Sequence, residues 1–286
     1  MRLLNQSTAV GFISILIVIA CMPLQGSGQK SQQDLAGIVA AEGVDPEKSA
    51  LLIVRLEDGA EWTSGGARIE TAYPPASTSK IPHTLIALET GYADGPDTIF
   101  KWDGTKRFLE AWNRDQTLSS AFKYSAVWVY QKITREIGYQ TMSEWIGRLG
   151  YGNGNTGTPD DLTTYWLVGP LETSAREQVQ FLSKLAADTL PLKEETLSVG
   201  KQIMQADQGM DWTLFAKTGW RSDGESTDIG WYVGWVEHLD ESDKLTYVFA
   251  FNMDIVEASD RARRQTVVHS ALAHLGIIQQ QSAVAQ

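Results

Sequence analysis

Apolar positions along the chain repeat with two different periods, and each change of period marks a change of element. Ala50-Leu51-Leu52-Ile53-Val54-Arg55-Leu56 is a near-continuous apolar run of strand length. Asp58-Gly59 and then Glu61-Trp62-Thr63 predict a turn and a partner strand. A Pro-rich loop follows, after which the period becomes helical, with a helix opened by Ser77 and ended by the stop signal at Gly91. Helical spacing then holds over Ser125 to Ile137, Thr141 to Leu149, Ser174 to Asp188 and Glu194 to Met204. Ser174 with Glu177 three residues later has the form of a capping box. A Gly/Asn-rich loop, Tyr151 to Gly157, separates the second and third of these helices. Three segments rich in aromatic and β-branched residues then predict strands, at Trp212 to Trp220, Ile229 to Glu237 and Leu245 to Met253. A last helix is predicted over Arg261 to Leu275, and no internal repeat is visible.

Strands near both ends and helices between them predict a mixed α/β (α+β) fold. An antiparallel sheet lobe of about 29–92 and 205–286 would carry an inserted all-helical lobe of about 93–204, with 29–286 as a single catalytic-sized domain. Clefts between such lobes are natural ligand sites. The first residues have a separate character. Arg2 precedes an apolar run, Val10 to Met22, too short to span a membrane comfortably, and small residues follow at Gly26-Ser27-Gly28. This pattern predicts a signal peptide over 1–28 and export to the periplasm. Cys21 is the sole cysteine, so no internal disulfide can form. Its place after Val18-Ile19-Ala20 leaves a lipid anchor at Cys21 as an alternative to simple cleavage. The net charge of −11 argues against nucleic acid or an anionic membrane surface as the main partner.

The candidate chemistry begins at Ser77 and Lys80, which share a face if the segment is helical, so that Oγ and Nζ can meet. A serine hydroxyl attacks only when a base takes its proton, and Lys80 can be that base only in a pocket that strips its charge. The spacing alone is weak evidence, because Ser-x-x-Lys also occurs at Ser27–Lys30, Ser120–Lys123 and Ser198–Lys201. Order carries more. Ser77-x-x-Lys80 is followed by Ser125-x-Val127 at the start of a predicted helix, and then by Lys217-Thr218-Gly219 within a predicted strand. Small residues beside Lys217 would let a substrate approach the strand backbone, while the lysine offers a charge to an anion. This order is the one found in serine β-lactamases and penicillin-binding enzymes. The four histidines lack the i, i+4 spacing of a helical metal pair, and no Gly-x-Ser-x-Gly elbow is present.

With these motifs together, the chain resembles the class D (oxacillinase-type) serine β-lactamases over nearly all of its mature length. The shared features are Pro75-Ala76-Ser77-Thr78-x-Lys80-Ile81-Pro82, Trp102-Asp103-Gly104, Trp112-Asn113-Arg114-Asp115, Ser125-Ala126-Val127-Trp128, Tyr151-Gly152-Asn153, Trp166-Leu167, Glu177-Gln178-Val179-x-Phe181-Leu182 and Lys217-Thr218-Gly219. Ser79 departs from the family, which usually has Phe there, and sets a hydroxyl beside the lysine. The resemblance implies hydrolysis of small β-lactam antibiotics, and hence antibiotic resistance, through an acyl-enzyme on Ser77. It implies that Lys80 is carboxylated by CO2 or bicarbonate to a carbamate that serves as general base, with no other cofactor and no metal. Val127, Trp166 and Leu167 would wall the lysine, with Trp166 donating its indole N–H. Ser125 and Lys217 would relay protons, and Thr218 and Gly219 would line the substrate strand. Backbone N–H groups of Ser77 and Trp220 would form the oxyanion hole. An arginine of the last helix would pair with the substrate carboxylate: Arg264 fits best, with Arg261 and Arg263 as rivals. The oligomer would be a monomer or a homodimer. A one-turnover antibiotic sensor and a peptidoglycan transpeptidase share the short motifs; the latter would lack the Tyr151-Gly152-Asn153 and Trp166-Leu167 features.

Overall fold

The computed structural model describes residues 32–240 and 243–279. The expected signal peptide and Cys21 lie outside the described residues. The chain runs through β1 (Gln32–Asp34), α1 (Ala36–Ala41), β2 (Ser49–Arg55), β3 (Glu61–Ser64) and α2 (Lys80–Glu89). A middle section follows with β4 (Ile99–Phe100), β5 (Gln116–Thr117), α3 (Leu118–Lys123), α4 (Val127–Ile137), α5 (Tyr139–Leu149), α6 (Ala175–Ala186) and α7 (Glu194–Met204). The last part comprises β6 (Gln205–Gln208), β7 (Trp212–Arg221), β8 (Asp228–Asp240), β9 (Asp243–Ile255) and α8 (Asp260–His274). Seven strands form one sheet in the order β1-β3-β2-β9-β8-β7-β6. The pairing of β2 with β9 joins the two ends of the chain, from Ser49 opposite Met253 to Arg55 opposite Tyr247. The expected antiparallel sheet with flanking helices is present, with one exception: the edge strand β1 runs parallel to β3.

The sheet is covered on both faces, so its central strands are apolar on both faces instead of alternating with polar residues. Leu51, Ile53, Tyr232, Val236, Phe249 and Phe251 pack beneath α1 and α8. Their strand neighbours Ala50, Leu52, Trp231, Val233, Trp235, Val248 and Ala250 pack on the helical section. Trp166, Trp231 and Trp235 are all fully buried; at roughly 25 cal/mol per Å², burying an aromatic of roughly 150–250 Å² contributes about 4–6 kcal/mol before entropy is charged. The alternation also orients the cleft. On β7, Phe215 faces the helical section, so Lys217 and Gly219 face it too. The Ser174–Glu177 capping box is present, as both reciprocal hydrogen bonds are made. Two expected helix starts differ. The chain makes a 3-10 turn over Ala76–Ser79 before α2 begins, and α4 begins at Val127, leaving Ser125 outside it with φ 56°.

Candidate active site

Three segments converge beside β7, and each is held from behind. The 3-10 turn carrying Ser77 is clasped by the segment around Trp166: Ala76 N–H donates to the Trp166 carbonyl at 2.8 Å, and Tyr73 and Thr173 exchange both backbone bonds. Trp231 of β8 donates its indole N–H to the Pro74 carbonyl at 3.1 Å. Inside the turn, buried Thr78 donates to the Pro75 carbonyl at 2.8 Å and accepts from Gln178 of α6 at 3.0 Å, and the same Gln178 amide reaches the Tyr151 hydroxyl at 3.0 Å. Ser79 turns its hydroxyl to the Ala76 carbonyl at 2.7 Å, so the hydroxyl expected beside the lysine is spent on the backbone. Ala76 and Ser125 are two of three non-glycine residues with left-handed backbone among the described residues. Such strain persists only where packing imposes it, and both examples flank the reactive groups.

The turn leaves Ser77 half-buried and reachable, while Lys80 behind it is fully buried. Lys80 Nζ donates to Ser77 Oγ at 3.0 Å and lies 5.0 Å from the centre of the Tyr130 ring. Among the described residues, no carboxylate pairs with Lys80. Burial first, and the charge on Lys217 second, push the Lys80 pKa well below the usual lysine range. The fully buried Trp166 indole leaves its Nε1–H without a partner. Val127 and Leu167 are half-buried against the same core.

On the strand side, Lys217 Nζ donates to Ser125 Oγ at 2.5 Å and to the Thr218 carbonyl at 3.0 Å. Its pKa falls to about 7, through burial and then repulsion from Arg264. Gly219 is required where it stands: a Cβ there would sit 2.9 Å from the Pro75 carbonyl and 3.0 Å from Thr78 Cγ2. The strand can therefore lie directly against the nucleophile turn. Trp220 is 37% exposed at the open end of the strand. The three arginines of α8 separate by their partners. Arg263 pairs with Asp260 at 3.0 Å, and Arg261 stacks over the Trp220 ring at 4.6 Å. Arg264 bonds the Gly219 carbonyl, meets no carboxylate among the described residues, and is lowered to about 10, chiefly by burial. Arg261 and Arg264 both lack a carboxylate partner among the described residues, and of these two Arg264 is the one bonded to the backbone of β7. Among the described residues, no His, Cys, Asp or Glu cluster is arranged to hold a metal ion.

The chain matches the penicillin binding protein transpeptidase domain over residues 49–273. The OXA-5 β-lactamase of Pseudomonas aeruginosa is 39% identical over 218 residues, 76% of this chain and 79% of that one. The OXA-48 β-lactamase of Klebsiella pneumoniae is 39% identical over 217 residues, with the same shares covered. The crystal structure of the class D β-lactamase YbXI from Nostoc superposes with a TM-score of 0.80 at 35% identity, covering 84% of this chain and 98% of that one. The chain belongs to the class D serine β-lactamases. A second member of that class, FUS-1 (OXA-85) from Fusobacterium nucleatum subsp. polymorphum, superposes with a TM-score of 0.79 at 34% identity, covering 85% of this chain and 97% of that one.

Within this class D chain, Ser77, Lys80, Ser125 and Lys217 are linked in two hydrogen-bonded pairs, and Arg264 and Gly219 adjoin the second. Sequence reasoning passed over Tyr130, Tyr165 and His83, which complete the wall behind Lys80. The only available signal was the position of His83 three residues after Lys80, on one helical face.

Proposed function

We propose that this β-lactamase opens the β-lactam ring through an acyl-enzyme on Ser77, with Lys80 carboxylated to a carbamate as the general base. The reading rests on one observation: a fully buried lysine with no carboxylate partner, whose charge burial expels, lies in a wall that also holds the unpartnered Trp166 N–H. The charge on Lys217 disfavours that on Lys80, and Arg264 in turn disfavours that on Lys217, with no carboxylate partner for any of the three among the described residues. The neutral Lys80 amine attacks the carbon of CO2, forms an N–C bond as one C–O π bond opens, and releases one proton to solvent, which turns a neutral amine into a hydrogen-bonded anion. Trp166 N–H and Ser77 O–H are donors for its oxygens.

In acylation, the carbamate accepts the Ser77 proton as Oγ bonds to the lactam carbonyl carbon. The C–N bond of the ring then breaks, and its nitrogen takes a proton from Ser125, which Lys217 replenishes. Backbone N–H groups of Ser77, in the 3-10 turn ahead of α2, and of Trp220 face the developing oxyanion. Arg264, with Lys217, Thr218 and Gly219, holds the substrate carboxylate side. The proton that the carbamate took from Ser77 then returns to Lys217 through solvent. In deacylation, the freed carbamate takes a proton from water, water oxygen bonds to the ester carbon, the ester C–O bond breaks, and Ser77 leaves with that proton. Residues 1–28 direct export to the periplasm, which N-terminal sequencing of the secreted form tests. The catalytic proposal is tested by hydrolysis of a chromogenic β-lactam with protein stripped of CO2. Added bicarbonate is expected to restore turnover; full activity without it overturns the carbamate.

A further inference from the structure

Among the buried titratable side chains of the wall behind Lys80 that the chemistry above does not use, His83 is the one with an unpartnered ring nitrogen. His83 and Lys80 are both fully buried and lie three residues apart on one face of α2. They flank the Tyr130 ring, with Lys80 Nζ 5.0 Å and the His83 ring centre 6.4 Å from its centroid. The Tyr130 hydroxyl is itself spent on Thr84, 2.8 Å away. The His83 ring also meets the Trp166 indole edge-on, 4.7 Å between centroids. Two ring nitrogens in this cluster are buried without partners: Trp166 Nε1 and His83 Nδ1. Such groups are rare in folded proteins and call for a ligand or a water.

The tautomer of His83 follows from its neighbour. His83 Nε2 is 2.7 Å from the Tyr165 hydroxyl, the one hydrogen bond that this phenol makes among the described residues. Burial raises the Tyr165 pKa, so the phenol keeps its proton and must donate it. Donation to Nε2 leaves the ring hydrogen on Nδ1. The opposite tautomer would strand both the phenol proton and the Nδ1 lone pair. Burial, and then the charge on Lys80, hold the imidazole neutral, with a pKa down to about 3. His83 thus presents a fixed, neutral N–H donor, one helical turn from Lys80. A carbamate brings two oxygens with about four acceptor sites, more than Ser77 and Trp166 supply.

We propose that His83 Nδ1–H is a further donor to the anion on Lys80, beside Trp166, which makes His83 a positioning residue that sets how firmly the site holds CO2. This rests on the carbamate reading above. The test titrates CO2-stripped wild type, His83→Leu and His83→Asn with 13C-labelled bicarbonate. It reads the carbamate carbon signal and chromogenic β-lactam turnover, with thermal melting as a check on folding. Loss of one hydrogen bond to a charged group predicts that His83→Leu needs about tenfold more bicarbonate for half-occupancy. His83→Asn, which keeps a short N–H donor, is expected to recover most of that loss. A purely structural role would shift the melting curve and leave the bicarbonate requirement alone. Where His83→Leu does not fold, His83→Met, flexible and donor-free, takes its place. Equal bicarbonate requirements for wild type and the donor-free variant overturn the role of His83 while leaving the carbamate standing. A wild type without any carbamate signal overturns both.

Discussion

Lys80 and Lys217 are near enough for the charge on Lys217 to lower the pKa of Lys80, and both are buried without a carboxylate partner among the described residues. Their company differs. Lys80 sits against Tyr130 in an aromatic wall and reaches Ser77 Oγ. Lys217 lies on a strand edge, where the Ser125 hydroxyl and the Thr218 carbonyl both accept from it. Burial pushes both pKa values down, and a neighbouring cation lowers each further: Arg264 for Lys217, which falls to about 7, and Lys217 for Lys80, which is driven well below the lysine range. A lysine that titrates near neutrality can pass protons. A buried lysine whose charge is disfavoured can instead be converted to an anion. Under the proposed reading, one residue type fills two roles, and the packing around each decides which.

The largest effects break the comparison at the nucleophile. Ser77→Ala is expected to cut steady-state turnover by at least about 10⁴-fold, because the proposed acyl-enzyme forms on its Oγ. Lys80→Ala should lose about 10³-fold in turnover while still releasing one equivalent of chromophore in a burst, since water must be activated in the second half-reaction. Sustained turnover by Lys80→Ala would mean that Lys217 serves as the base, and the two lysines would exchange roles. Arg264→Ala is expected to raise KM for a carboxylate-bearing β-lactam about 10- to 100-fold, with kcat far less altered, as fits a lost charged hydrogen bond. The same change in Arg261→Ala instead would move the carboxylate site to the Trp220 stack.

Smaller effects sharpen the contrast through stability. Lys217 is lowered to about 7 in the folded state, below its value in an unfolded chain. The unfolded chain therefore binds more protons between those two values, and stability rises with pH across that window. Lys217→Met should remove a rise of a few kcal/mol between about pH 7 and about pH 10, measured by urea denaturation against wild type. The smallest expected effect is that of Ser79→Ala. Its hydroxyl bonds the Ala76 carbonyl and nothing in the cleft, so stability falls by about 1 kcal/mol and turnover stays within about twofold.

Much of the fold was legible because period and capping agreed. The helix Glu194–Met204 and the capped start at Ser174 stand where apolar spacing and the Ser/Glu pair place them. The strand β7 starts at the predicted Trp212, and no end of β7 to β9 runs more than three residues beyond the predicted spans. What escaped was set by tertiary contact. Gln32–Asp34 has no apolar run of its own and becomes a strand only by pairing with β3. Ser125 reads as helical from its neighbours, but lies outside α4 in a left-handed conformation, bonded to Lys217. The short motifs of the site were readable because order along the chain limits chance matches. Among Arg261, Arg263 and Arg264, spacing favoured the last, and only the structure shows that Arg263 is ion-paired and that Arg264 reaches the Gly219 carbonyl. His83 carried no local signal beyond its spacing from Lys80; Tyr165 and Trp166, 82 and 83 residues later, give it meaning.

The decisive measurement is a crystal structure of the unsubstituted protein grown at mildly alkaline pH in bicarbonate, refined at the tip of Lys80. Continuous density for a planar three-atom group beyond Nζ, with one oxygen on the Trp166 indole N–H, is the predicted result. A bare amine with the indole N–H still unpartnered would contradict it.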